Sequence, residues 1–301
     1  MKRISVILCA FLVWYNSFSQ EIIPWVESLP IAKIQARSEN KMILMVWEGA
    51  TEYPMPVLIK DERGKDILID NLFETPQLNE LLWQYFVPVV VGDESYADWF
   101  LDIKDKRSQA YIDKFNDDSL KVIDVNGNIL GTSGAYTELL DLTKFITKYG
   151  FETSYIKQEL LNYHQEKNFY SAFYLASKYV DFSLLVNEKV RSEILDLSDI
   201  YFSEAKDFIS SENRSDDKAQ LQRIDLLKLK QELIKNRPRK VLRRLKKIDD
   251  LEIEKVNEPL ATFLYYTAFR LLNDTEKFQR LESSISLLNL KQAQLIVNIN
   301  R

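Results

Sequence analysis

The chain has 301 residues, 46% hydrophobic and 28% charged, which excludes both a disordered chain and an integral membrane protein. Its 45 acidic against 40 basic residues give a formal net charge of −5, the wrong sign for a general nucleic-acid binder. One cysteine and one histidine exclude a disulfide framework and a cysteine–histidine zinc site.

Residues 1–19 read as a signal peptide. Lys2 and Arg3 form its basic start, Ile4 to Tyr15 its apolar run, and Ser17 and Ser19 place the cleavage site after Ser19. Cys9 lies inside this leader, behind Leu8, which is too large for a lipoprotein site. Cleavage removes two positive charges and the only thiol, taking the net charge from −5 to −7. The expectation is an exported chain, periplasmic or extracellular, without disulfides, metal or other cofactors. No later segment is long and apolar enough to span a bilayer.

Residues 20–150 hold all seven glycines and read as α/β. Lys41 to Trp47 is a continuous apolar run, the pattern of a strand buried on both faces. Val57–Ile59 and Ile67–Ile69 flank Asp61-Glu62-Arg63-Gly64 as a β-hairpin. Thr75-Pro76 starts a helix. Leu78, Leu81, Leu82, Tyr85 and Phe86 form its apolar face. Phe86 to Val91 predicts another strand, and Trp99, Phe100, Ile103, Tyr111 and Phe115 predict a second helix. Asn126-Gly127 turns a hairpin between Leu120–Asp124 and Asn128–Leu130. Tyr136, Leu139, Leu140, Phe145, Ile146 and Tyr149 close the region with a helix that Gly150 ends.

That order resembles the thioredoxin fold over residues 25–150. Trp25 and the helix-like Ile31–Asn40 precede Lys41-Met42-Ile43-Leu44 as a helix and a lysine precede the first core strand of an exported thioredoxin-like domain. Phe86-Val87-Pro88-Val89-Val90-Val91 is similar to the second core strand. Leu120-Lys121-Val122-Ile123-Asp124-Val125-Asn126-Gly127-Asn128-Ile129-Leu130 is similar to the terminal hairpin. The resemblance implies a site after the first strand, where paired cysteines sit at a helix N-terminus that lowers the thiol pKa. Those positions fall on Thr51 and Pro54 here, and the segment that should be helical reads as the strand Met55–Ile59. The family's proline before the hairpin falls near Asp118-Ser119. The resemblance therefore implies a redox-inactive member whose peptide-binding edge is Trp47, Thr51, Glu52, Tyr53, Pro54, Asp118 and Ser119.

Residues 151–301 read as an all-α repeat or bundle of about nine helices, with Ser210–Asp217 as the clearest loop. Stripes appear at Val186/Val190/Ile194/Leu197, Tyr201/Ala205/Phe208/Ile209, Val241/Leu242/Leu245/Ile248 and Leu260/Phe263/Leu264/Ala268/Leu271/Leu272. Phe278/Leu281/Ile285/Leu288 and Leu290/Ala293/Ile296/Val297 complete the set. Tyr170–Ala176 and Tyr201–Ala205 resemble tetratricopeptide helices. Ala172 and Ala205 stand 33 residues apart, near that family's period of about 34.

Three constellations carry candidate chemistry. His164, near a helix end, would interact well with the dipole as a cation and reads as a structural or surface residue rather than a metal ligand. Asp93-Glu94, read as a loop after a strand, form either a solvated loop or a small polar site with Glu48 and Glu52. Arg237 to Lys247 holds seven basic residues. They form either a solvated face balanced by Asp249, Asp250, Glu252 and Glu254 downstream or, through Arg239, Lys240, Arg243, Arg244 and Lys247, a candidate docking face for an acidic protein or an anionic envelope surface.

The function expected is an exported, non-catalytic adaptor that binds protein or peptide. The alternatives are an enzyme using the carboxylates as acid and base, or a divergent thiol–disulfide oxidoreductase retaining only substrate recognition.

Overall fold

The computed structural model describes residues 24–134, 139–212, 216–249 and 252–301. The expected leader, Cys9 and Tyr136 lie outside them.

An α/β region comes first and an all-helical region follows. In chain order the first contains α1 (Leu29–Glu39), β1 (Met42–Trp47), β2 (Val57–Lys60), β3 (Asp66–Ile69), α2 (Pro76–Tyr85) and β4 (Phe86–Val91). Then come α3 (Asp93–Ile103), α4 (Gln109–Phe115), β5 (Lys121–Ile123), β6 (Ile129–Thr132), β7 (Leu140–Asp141) and α5 (Leu142–Tyr149).

Met42 to Val46 are buried without interruption, as a continuous apolar run in a doubly covered strand must be. β1 lies inside a four-stranded sheet of order β4-β1-β5-β6. It runs parallel to β4, with Met42 opposite Phe86, and antiparallel to β5, with Met45 opposite Lys121. Val26 adds a parallel bridge to Val89 on the outer side of β4. Pro88 turns its carbonyl to the Val26 N–H at that edge, 3.0 Å away, where its own missing N–H breaks no ladder. A second sheet, β3-β2-β7, holds the inserted hairpin.

Several elements differ from expectation. The helix read through Trp99 and Phe115 is two helices, α3 and α4, because Ser108 caps a new start by accepting from the Tyr111 N–H. Asp93 and Glu94 are not a loop: they form the first turn of α3, where acidic side chains meet the positive end of the dipole. The helix before Gly150 begins only at Leu142, with Asp141 as N-cap, and Leu140 pairs with Val57 in β7.

Eight α-helices follow Gly150 among the described residues: α6 (Lys157–Gln165), α7 (Phe169–Phe182), α8 (Glu188–Glu212), α9 (Asp217–Ile234), α10 (Pro238–Asp249), α11 (Glu258–Leu271), α12 (Thr275–Glu282) and α13 (Leu287–Asn298). The stripes from Val190 to Ile209 belong to one 25-residue helix, α8, which also takes in 210–212, the start of the loop expected at Ser210–Asp217. Leu288 belongs to α13 rather than to the helix of Phe278. Ala172 lies on α7 and Ala205 on α8, two neighbours that pack together, so their spacing does not mark equivalent helices of successive repeats. The helices still stack in order: α9 touches α7, α8, α10 and α11, and α11 touches α9, α10, α12 and α13.

One apolar core runs unbroken from Ala32 in α1 to Ile296 in α13. At the junction α8 packs on β6 and α5. β6 tolerates this only through Gly131, since a Cβ there would collide with the Tyr149 hydroxyl and lie 2.8 Å from Glu193 Oε2. Asp124, at the root of the β5–β6 turn, is buried in the same junction. Its Oδ1 accepts from the Asn126 and Asn128 N–H groups at 2.9 and 2.8 Å, and its Oδ2 accepts from the Tyr201 and Tyr179 hydroxyls.

Asp124→Ala removes the acceptor for four donors at once. We expect it to lower unfolding free energy by about 3–5 kcal/mol, against a smaller loss for Asp124→Asn, in urea titrations.

Candidate functional site

The end of β1 delivers Trp47 to the surface, and the chain then turns through a 3-10 helix, Glu48–Glu52, instead of entering an α-helix. The Trp47 indole N–H donates to Asp93 Oδ1 at 2.7 Å, and its ring lies 6.1 Å from that of Tyr96. The indole folds back over Gly49, where any Cβ would sit 2.5 Å from its Cη2. Glycine is therefore a steric requirement of this turn. Thr51 Oγ1 donates back to the Glu48 carbonyl at 2.7 Å, which closes the 3-10 turn. Tyr53 and Pro54 follow in the open, with Tyr53 72% exposed.

Opposite stands the α4–β5 connection, Asp117 to Leu120. Asp117 Oδ1 accepts from the Ser119 N–H and Oδ2 from the Thr132 hydroxyl, both at 2.9 Å. Ser119 Oγ accepts from the Gly134 N–H, and the Ser133 N–H donates to the Leu120 carbonyl. Partial burial would raise the Asp117 pKa. The bonds from Ser119 and Thr132 and the charge of Lys121 outweigh it and hold the carboxyl below its usual range.

Between these walls lies a groove of about 410 Å³, lined by Trp47, Gly49, Ala50, Tyr53, Pro54, Met55 and Pro56 on one side and Asp118, Ser119, Ser133 and Gly134 on the other. Five residues expected from sequence thus meet there: Trp47, Tyr53, Pro54, Asp118 and Ser119. Thr51 and Glu52 do not line it, because the 3-10 turn commits Thr51 to the backbone and leaves Glu52 in solvent.

Glu48, Glu52, Asp93 and Glu94 all stand exposed, and none of them lines the groove. They form no shared cleft for an acid and a base. His164 is exposed in the last turn of α6. Slight burial and the charges of Arg37 and Lys167 lower its pKa. The basic face lies elsewhere, on α10, packed against α9 and α11. Lys240 pairs with Glu232 at 2.8 Å. Arg239, Arg243, Arg244 and Lys247 are exposed and make no ion pair among the described residues.

Lys121 and Tyr96 were not expected. Lys121 is fully buried in β5, donates to the Asp117 carbonyl and lies 5.5 Å from the centroid of the Tyr96 ring. Tyr96 donates in turn to the Phe115 carbonyl and stacks on the Phe115 ring at 4.4 Å. The sequence signal was a lone lysine inside the apolar run Leu120–Ile123. Burial pushes the Lys121 amine down to about 8, against the charges of Asp117 and Asp118, which raise it.

In the unfolded chain that amine keeps its ordinary value of 10.5, so between about 8 and 10.5 the unfolded state binds more protons. The stability of the native chain relative to Lys121→Met is therefore flat below pH 8 and rises from there toward 10.5. Urea midpoints of the two proteins across this range check it, and a constant difference would refute the desolvated amine. Compared with known proteins, the chain gives no significant match to any family model, curated protein or solved structure.

Proposed function

We propose that the chain is an exported, non-catalytic adaptor that holds a protein or peptide partner, built from a redox-inactive thioredoxin-like region and a helical, solenoid-like one. The observation that carries this reading is the groove between the end of β1 and Asp118-Ser119. It lies where the thioredoxin-like reading puts a peptide edge. Its walls offer an exposed aromatic, two prolines and a hydrogen-bonded loop, surfaces suited to holding an extended chain. The sheet order β4-β1-β5-β6, with Val26 outside β4, supports the same reading. So does the i to i+2 stacking of α7, α9, α11 and α13 for the solenoid-like half. The cations of α10 that make no ion pair among the described residues give the adaptor a second contact, to an anionic envelope surface.

A photocrosslinking residue at position 53 of the exported full chain tests the groove. We expect it to label a protein partner that the same residue at position 288, also exposed, does not label. Identical labelling at both positions, or substrate turnover by the purified chain, overturns the reading.

The turn geometry makes a second prediction. Cysteines introduced as Thr51→Cys and Pro54→Cys stand in a 3-10 turn and in the link from it to β2, not on an α-helix that starts at that point. Their thiols should titrate near the ordinary value of about 8.5, with no disulfide-reductase activity. A thiol pKa below about 7.5 would show an activating environment.

A further inference from the structure

We propose that the helical half carries a second docking groove, distinct from the first, for an extended peptide segment in which an acidic side chain is flanked by aromatic or large apolar ones. α7, α9 and the start of α11 enclose a cavity of about 470 Å³. Tyr170, Phe173 and Tyr174 form one wall, Arg223 of α9 the floor, and Val256 and Leu260 the other wall. The Tyr170 and Tyr174 rings stack at 6.2 Å, one helical turn apart. Tyr174 is 56% exposed and Val256 63%, so both walls present apolar surface to solvent.

The charge of the groove selects the partner. Arg223 reaches only neutral acceptors, Asn257 Oδ1 at 3.3 Å and the Val256 carbonyl at 3.5 Å. It makes no ion pair among the described residues. Lys230, the other cation at the groove, is already bound to Asp181 at 2.5 Å. A half-buried guanidinium with only long, neutral hydrogen bonds is complementary to a carboxylate, which it can grip through two N–H groups.

Position argues for an acidic side chain rather than a chain terminus. Along α9 the groove runs from Ala219 to Lys230, with Arg223 between its ends. That stretch is about 16 Å long at 1.5 Å per residue, room for roughly five residues of extended chain at about 3.3 Å each. The carboxylate would sit within that segment, with its neighbours on the tyrosines and on Val256 and Leu260. The inference does not depend on the first groove, so loss of binding at Arg223 would leave crosslinking at position 53 intact.

A phage-displayed library of random peptides, selected on the full chain, tests it. Selected peptides should combine Asp or Glu with adjacent Tyr, Phe, Trp or Leu. A synthetic peptide of the consensus should bind at least about tenfold more weakly to Arg223→Gln, which loses a charge-assisted contact, and to Tyr174→Ala, which loses an aromatic wall, a tenfold change being about 1.4 kcal/mol. Arg223→Lys should recover part of the loss, which separates loss of charge from loss of fold. Arg280→Gln, an exposed charge removed from α12, should bind as the native chain does. Peptides without acidic enrichment, or a consensus peptide held equally well by Arg223→Gln, would overturn the proposal.

Discussion

The joint between the two halves of this protein is a buried carboxylate. Asp124 can be withdrawn from water only because donors fill both of its oxygens. Two are backbone N–H groups of its own turn, at Asn126 and Asn128, and two are hydroxyls of Tyr201 on α8 and Tyr179 on α7. The same atoms therefore fix the shape of the β5–β6 turn and the seat of the helical half. Asn126 and Asn128 also donate to Tyr201, and Arg107 ties Asn128 to Glu204, so each partner is itself held. Burial pushes the Asp124 carboxyl above its usual range, against the donors and the Lys33 ammonium. Satisfied hydrogen bonding, not a paired cation in contact, is what makes the site tolerable.

This joint reaches the candidate groove through a short strand. Only Val122 and Ile123 separate Asp124 from Lys121, and β5 is locked between β1 and β6. Lys121 in turn holds the Asp117 carbonyl from below, and Asp117 holds Ser119 and Thr132 from the side. One wall of the groove is thus fixed by the same hairpin that docks the helices. The other wall ends in the exposed ring of Tyr53, which has no such support. A fixed polar wall facing an open aromatic one suits capture of a chain whose backbone meets the first and whose side chains settle on the second.

The regular parts of this architecture were legible because they rest on local patterns. The apolar runs of β1 and β4, the turns at Asp61–Gly64 and Asn126-Gly127, and the Gly150 stop all act within a few residues. Asp93-Glu94 were misread because acidic residues after a strand serve a loop and a helix start equally, and Gly92 gave no side-chain cap to separate the two. Ser210–Glu212 read as loop because polarity alone cannot distinguish a loop from a helix end. β7 is two residues long and exists only through pairing with β2. At the site, strand order brought out Trp47, Tyr53, Pro54, Asp118 and Ser119, while Lys121 and Asp124 stayed hidden. Their roles depend on partners from distant segments, such as Tyr201, 77 positions beyond Asp124. No local pattern carries such a pairing.

The turn after β1 runs into β2 rather than into an α-helix. Replacing two cysteines would remove the thiols and leave an activating helix terminus behind. Here the chain also fails to continue into an α-helix: the 3-10 turn binds Thr51 to its own backbone, Gly49 admits the Trp47 indole, and β2 begins five residues after Glu52. These features support one another sterically, so thiol chemistry at this turn would require rebuilding it as well as introducing two cysteines. The unbroken core from Ala32 to Ile296 adds a second consequence. Both grooves belong to one packed body, so a partner carrying two suitable segments would meet them at a set separation. Its second segment would then bind at an effective concentration fixed by the fold.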